Sequence, residues 1–514
     1  MCKISENGHS VSTRNNEMNY DDAFELSGHG WYNRFALVAC SIISNAVALD
    51  MFGFSIVVAA ARCDLNLGIE ETGLLASAPF AGLLFAFPWG YYADMHGRRK
   101  ALLLSTSIGF LFAALGSLAT SWQVMLALKL IGCSFSTPAF TFTIAYLGEC
   151  TTSKHRSQYL FIMNSMNLAS EMVSFSLAYL ILPLTFNVPM PWLSIAYRSW
   201  RLYVLVLALP LGVGAVMMFF LKESPKFLAN IGQTDEALRV MKRIHTINGG
   251  RDEFPVNSLK TIETQRDVSL WRSVVQQTVP LFKPPLLSRT LQLFFLMAIC
   301  CSTNNAFIMW FPTIVNIFFN SPSTSSNNTV GFCERIVDSI SASETEAESV
   351  ICNDTISLNA IYSGIILGVT LTLLNLSVTR FASYRRLVLV TFLLIPSISC
   401  LMVGMLEQPL ASLVFFALIQ ASAVGIGNVA SYFVDLYPTS YRGLATSLAV
   451  MAARLTSLVS VIIIGAVIVD YCSLTFYFWA VLTLCGVGVS LFLPPDKKTN
   501  TVQPENSARM EDST

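Results

Sequence analysis

The residues in this sequence best placed to do chemistry are charges set in apolar surroundings. Asp50 follows Ala46-Val47-Ala48-Leu49 and precedes Met51-Phe52-Gly53-Phe54, and Lys129, Glu171 and Arg454 lie in comparably apolar runs. Such a charge costs about 2.5–3.5 kcal/mol at the centre of a bilayer on insertion scales, so each needs a counter-ion, water or a transported ion. A carboxylate held there can change protonation or exchange ion partners, and a base can hold an anion or the carboxylate itself. Asn164, Asn167 and Glu171 fall at i, i+3 and i+7 and share one helical face. Thr303, Asn304 and Asn305 break another apolar run ahead of Trp310-Phe311-Pro312. Asp50, Lys129, Glu171, Asn304, Asn305 and Arg454 are therefore the candidate substrate- or ion-coupling groups, facing a shared polar cavity. The alternative is that the charges pair and only lock helices together. None of the five His falls inside an apolar run, so proton movement would use carboxylates. No Gly-rich phosphate loop, metal cluster or catalytic triad appears, so neither an enzyme nor a cofactor is expected.

These charges need apolar helices to carry them, and composition supplies those. Of 514 residues, 54% are hydrophobic and only 12% charged, with mean hydropathy +0.57, where soluble domains carry about 25% charged residues. The expected fold is all-α and membrane-embedded, with about twelve transmembrane helices in two pseudo-symmetric six-helix halves. Hydropathy places spans near 35–61, 72–94, 100–121, 123–146, 157–183 and 200–221, then 289–318, 358–380, 386–406, 409–434, 443–469 and 473–494. The expected organisation is a tail at 1–34, a first half at 35–221, a linker at 222–288, a second half at 289–494 and a disordered tail at 495–514. The net charge of zero gives no support to a nucleic-acid partner; the expected partners are the bilayer and a small solute, coupled to protons or another ion.

Orientation follows from the bases between spans. His96, Arg98, Arg99 and Lys100, then Lys154, His155 and Arg156, then Arg380, Arg385 and Arg386 all fall on one side, read as cytosolic together with both termini. The first 34 residues lack the apolar core of a signal peptide. The opposite side carries the acidic loop 321–357 with sequons at Asn327 and Asn353. Cys333 and Cys352 share that loop and are candidates for a disulfide. In the linker, Ser224-Pro225 and Thr234-Asp235-Glu236 read as helix starts and Asn248-Gly249-Gly250 as a stop.

Gly90-Tyr91-Tyr92-Ala93-Asp94-Met95-His96-Gly97-Arg98-Arg99-Lys100 closes the second span. Asp94 can cap the following helix or pair with Arg98. The pattern resembles the G-x-x-x-D-x-x-G-R-R/K signature of the major facilitator superfamily. Gly148-Glu149 with Lys154 and Arg156, Glu223-Ser224-Pro225-Lys226-Phe227-Leu228, and Asp435-Leu436-Tyr437-Pro438 with Arg442-Gly443 resemble three further elements of that family. With the 7–8 loop, the set looks most like the synaptic-vesicle glycoprotein and organic-ion transporter branch. The resemblance implies secondary transport of a small polar or charged organic solute by alternating access, in the plasma membrane or a secretory or synaptic-type vesicle. Gly90, Asp94, Gly97, Arg98, Arg99, Glu149, Arg156, Glu223, Asp435 and Arg442 would be its gating residues. The rival it implies is a non-transporting vesicle component, receptor or scaffold.

Overall fold

An apolar run that crosses a bilayer must satisfy its backbone N–H and C=O groups within itself, which leaves helix as the economical solution. The structure, a computed structural model, describes residues 17–82, 86–250, 252–259, 278–320, 331–337, 356–378, 384–437 and 439–494. Among these, ten helices are long and apolar enough to cross a membrane. They are span 1 (Trp31–Ala60), span 3 (Arg98–Gly116), span 4 (Trp122–Glu149), span 6 (Ser199–Phe220), span 7 (Leu287–Asn320), span 8 (Leu358–Val378), span 9 (Arg385–Met405), span 10 (Pro409–Phe433), span 11 (Leu444–Val467) and span 12 (Cys472–Leu491). Span 2 is described as the helices Ile69–Ala81 and Ala86–His96, and span 5 is divided at Ala169 into Ser153–Leu168 and Ser170–Ile181.

Interruptions fall where sequence reading did not put them. One helix runs through the polar Thr303-Asn304-Asn305 of span 7. The asparagine amides bond sideways and leave the backbone ladder intact. Span 1 instead turns at Gly53, between Trp31–Phe52 and Phe54–Ala60. A Cβ there would lie 3.1 Å from Leu207 Cδ1 of span 6, so glycine permits that approach. Span 10 tightens into a 3₁₀ turn at Ile419–Ala421.

The helices fall into two units, one of Met1–Val57 with Ala81–Leu270, the other of Val58–Phe80 with Trp271–Thr514. Val58–Phe80 groups with the second unit. There Gly73 and Gly465 meet beneath the Trp310 ring, where a Cβ on Gly465 would come within 2.8 Å of Trp310 Cζ2. Internal packing repeats between units. Span 1 packs on spans 4, 5 and 6, and span 3 on 4 and 6; span 7 packs on 10, 11 and 12, and span 9 on 10 and 12.

The linker helices form as their caps dictate. Ser224 Oγ accepts from Phe227 N at 3.2 Å and starts Pro225–Asn230. Thr234–Ile247 follows and buries Ala237, Leu238, Met241 and Ile244. Both belong to the first unit. The stretch 1–34, expected as a tail, is folded over its described part: Tyr20–Glu25 is helical and Glu17–Met18 pairs in parallel with Ser258–Leu259. Asn248 holds it, with Nδ2 donating to Gly28 O at 3.2 Å and to Asn33 Oδ1 at 2.9 Å.

A disulfide joins Cys333 to Cys472 and corrects the expected pairing of Cys333 with Cys352; Cys63 is disulfide-bonded as well. The reason is apolar. A helical turn at 332–337 buries Phe332 against Phe318, Phe416 and Phe476, which brings Cys333 to the start of span 12. Cys352, Asn327 and Asn353 lie outside the described residues. Cys40, Cys133, Cys150, Cys300, Cys301 and Cys400 are buried free thiols.

Candidate functional site

Lys129, Cys133 and Ser136 follow one another at i, i+4 and i+7 and so share a face of span 4. That face meets Asp50 of span 1. Lys129 Nζ lies 2.5 Å from Asp50 Oδ1 and donates to the Asp50 carbonyl oxygen at 2.5 Å. Ser136 Oγ donates to Asp50 Oδ2 at 3.0 Å, and Cys133 Sγ lies 3.5 Å from the same oxygen. The ammonium sits 4.4 Å from the Phe54 ring centroid, an electrostatic contact suited to a desolvated cation. Asp50 and Lys129 are 6% and 8% exposed, so solvent does not screen the pair. A cavity of about 20 Å³ opens beside them, lined by Asp50, Phe54, Phe112, Met125, Lys129 and Leu207. That volume admits about one water molecule. The pair is neutral as a unit, and opening it requires a new partner for at least one charge.

The second constellation lies where spans 2, 3, 4 and 6 end. Asp94 pairs with Arg98, so of the two roles open to it the structure shows the ion pair. Arg98 also reaches from its Nε to Glu149 Oε1 at 3.5 Å, and its guanidinium lies 6.0 Å from the Phe227 ring centroid. Glu223 does the capping: Oε1 accepts from Arg99 N at 2.9 Å and Ser224 N at 3.0 Å, and Oε2 from Lys100 N at 3.4 Å. Arg99 returns the favour at the end of span 6, with Nε donating to Met218 O at 3.2 Å and Nη2 to Phe219 O at 2.8 Å. Each helix thus receives charge of the sign its terminus favours. Gly97, at φ +107°, is the turn between spans 2 and 3, and a Cβ would strike the Glu223 carboxylate. Replacing Glu223 with Ala should lower stability by about 2 kcal/mol, the upper range for a lost cap, read as a lower unfolding temperature in detergent. Glu223→Gln, which keeps an acceptor oxygen, should lose less.

A family model for the Major Facilitator Superfamily matches residues 38–337. The chain belongs to this superfamily. Among similar proteins, synaptic vesicle glycoprotein 2C of Mus musculus is 28% identical over 270 residues, 49% of this chain and 36% of that one. Synaptic vesicle glycoprotein 2A of Rattus norvegicus is 26% identical over 268 residues, 49% of this chain and 36% of the relative. The match spans just over a third of the length of these curated relatives. Of solved structures, the inward-open xylose transporter XylE from E. coli superposes with TM-score 0.63 at 13% identity, covering 91% of this chain and 98% of its own. The nucleoside transporter NupG gives TM-score 0.56 at 13% identity, covering 89% and 97%. These likenesses show the major facilitator fold, which makes the chain a multi-pass membrane protein.

Within that fold, most of the expected gating set of the superfamily comes together: Asp94, Gly97, Arg98, Arg99, Glu149 and Glu223 form one network. Gly90 has no neighbour that a Cβ would meet. Arg156 stands apart, its buried Nε without a hydrogen-bond partner. Asp435 and Arg442 fall on the helices of spans 10 and 11, their side chains outside the description.

Glu171, in the first turn after the span 5 interruption, is 8% exposed and its Oε1 has no hydrogen-bond partner. Asn167, expected on its face, is used for packing: its Nδ2 donates to Ser44 O at 3.0 Å, while Asn45 Nδ2 donates to Met166 O at 2.6 Å. These reciprocal amide bonds hold span 1 to span 5. In the second unit, Asn304 Nδ2 donates to Asn305 Oδ1 at 3.2 Å and Asn305 Nδ2 to Ser457 Oγ at 3.0 Å. Arg454 lies 5.9 Å from the Phe80 ring centroid.

Two residues escaped the sequence reading. Gln420, fully buried in the 3₁₀ turn of span 10, has both amide atoms unpaired, as does Asn304 at Oδ1. Its signal, an amide midway along the span read at 409–434, is the one that marked Asn304 and Asn305. Arg201 is buried, with Nη1 donating to Ser117 O at 3.1 Å and Ala119 O at 2.7 Å, and so caps the end of span 3. Its signal, a base at the start of an apolar run, reads equally as an interfacial anchor.

Proposed function

We propose that this chain is a secondary transporter of a small polar or charged organic solute, working by alternating access, with Asp50 and Lys129 as its exchangeable charge pair. The observation that carries the reading is the pair itself: a carboxylate and an ammonium, both buried, joined between spans 1 and 4 beside a void large enough for about one water. A proton or a cationic group arriving at Asp50 would release Lys129, and an anionic group arriving at Lys129 would release Asp50. Either event changes what holds span 1 to span 4, so occupancy and helix packing are linked. Glu171, with its unpaired buried oxygen, is the second group suited to take up and release a proton. The network around Glu223 and Arg98 would stabilise one gating state.

The test is an uptake screen of labelled polar solutes in cells with and without the chain. At least one solute should accumulate several-fold above background only when the chain is present. A flat screen, with the protein demonstrably at the membrane under study, would favour the non-transporting vesicle-component reading.

A further inference from the structure

We propose that the stacked pair His29–His155 is an acid-released latch that holds the N-terminal segment against the starting ends of spans 1 and 5. The rings of His29 and His155 lie 3.9 Å apart between centroids and are inclined by only 18°. Tyr159 OH lies 2.9 Å from His29 Nε2, and Thr152 Oγ1 lies 3.2 Å from His155 Nδ1. His29 Nδ1 is buried without a hydrogen-bond partner, so a proton added there gains no acceptor in the docked state. Four residues upstream of His29, Glu25 Oε1 accepts from Ser153 N at 2.7 Å and from Ser153 Oγ, which fastens the same two segments. The stack is therefore part of a docked surface and not an isolated ring contact.

Bases and acids both surround it. Arg34 faces it from span 1 and Lys154 and Arg156 flank His155 on span 5, with Tyr159 beside His29; Glu25 is the acid on the segment itself, and Asp21 and Asp22 begin its helix. Burial, then His155, then Arg34 hold His29 below the ordinary histidine range. The sign follows from linkage. The undocked segment binds a proton more readily than the docked one, so docking is complete above about pH 6.5 and weakens as pH falls below it, by at most about tenfold per pH unit per proton.

The test is hydrogen exchange by mass spectrometry on the full chain in nanodiscs, following the amides of residues 20–33 at pH 7.5 and 5.5, corrected for intrinsic rates. The unaltered chain should lose protection at the lower pH, by at most about tenfold, and His29→Gln, which keeps a polar group beside Tyr159 without a titrating ring, should show no such step. Equal protection of the unaltered chain at both pH values, or an undiminished step in His29→Gln, would overturn the latch. If His29→Gln is unprotected at both, His155→Gln decides: a reduced step supports the latch and an unchanged one overturns it.

Discussion

Asp50→Asn should destabilise the protein by about 3–5 kcal/mol, because it leaves the Lys129 ammonium buried beside an amide that cannot neutralise it. The asparagine keeps the shape and the hydrogen bond from Ser136, so the loss reports charge and not volume. Lys129→Gln should cost a similar amount by stranding the carboxylate. The double variant Asp50→Asn with Lys129→Gln removes both charges and should recover most of the lost stability, since neutral replacement of a buried pair is often close to cost-free. The measurement is a double-mutant cycle of unfolding temperatures in detergent, where the two losses should fail to add by several kcal/mol. Additive losses would mean that the two charges do not depend on each other.

Removing the Cys333–Cys472 disulfide should give the second large effect. Cys333→Ser with Cys472→Ser opens a link across a sequence separation of 139 residues. The chain-entropy model assigns a loop of that size somewhat more than about 4.7 kcal/mol. Spans that stay inserted already confine the unfolded chain, so about 2–4 kcal/mol is expected here. The turn at 332–337 should become more protease-sensitive at the same time, because the Phe332 contacts, the buried Ile336 and Arg335 over the Phe318 ring would be left to hold it. Mass spectrometry without reduction should recover peptides joining Cys333 and Cys472; peptides joining Cys333 and Cys352 would contradict the structure.

Why Cys472 escaped sequence reading illustrates the limit of local patterns. It stands at the start of an apolar run, where a cysteine is most often a packing residue, and its partner lies 139 positions away. Hydropathy, by contrast, reports a local property, and the span edges it predicts near 200–221 and 386–406 fall within a residue of Ser199–Phe220 and Arg385–Met405. The turn at Ala169 in span 5 carries neither Gly nor Pro to announce it. Asp50 and Lys129 were visible as charges that must be satisfied. Their pairing was not, since Arg454 has the same sign as Lys129 and no local pattern ranks two distant bases. The spacing of Lys129, Cys133 and Ser136 held usable information, one polar face on an apolar helix. Capping of span 3 by Glu223 was hidden for another reason: Asp94 is nearer in sequence and chemically as able.

The central claim is that the Asp50–Lys129 pair exchanges partners during transport. Its most direct test uses the folded double variant Asp50→Asn with Lys129→Gln in proteoliposomes, with a solute found by the uptake screen. Two quantities are compared with the unaltered chain: accumulation driven by an imposed proton or sodium gradient, and gradient-free exchange of labelled for unlabelled solute. The account predicts that the double variant loses gradient-driven accumulation at least tenfold while its thermal stability stays near that of the unaltered chain. Undiminished accumulation in a variant with neither charge would contradict it, and would leave the pair as a lock between spans 1 and 4.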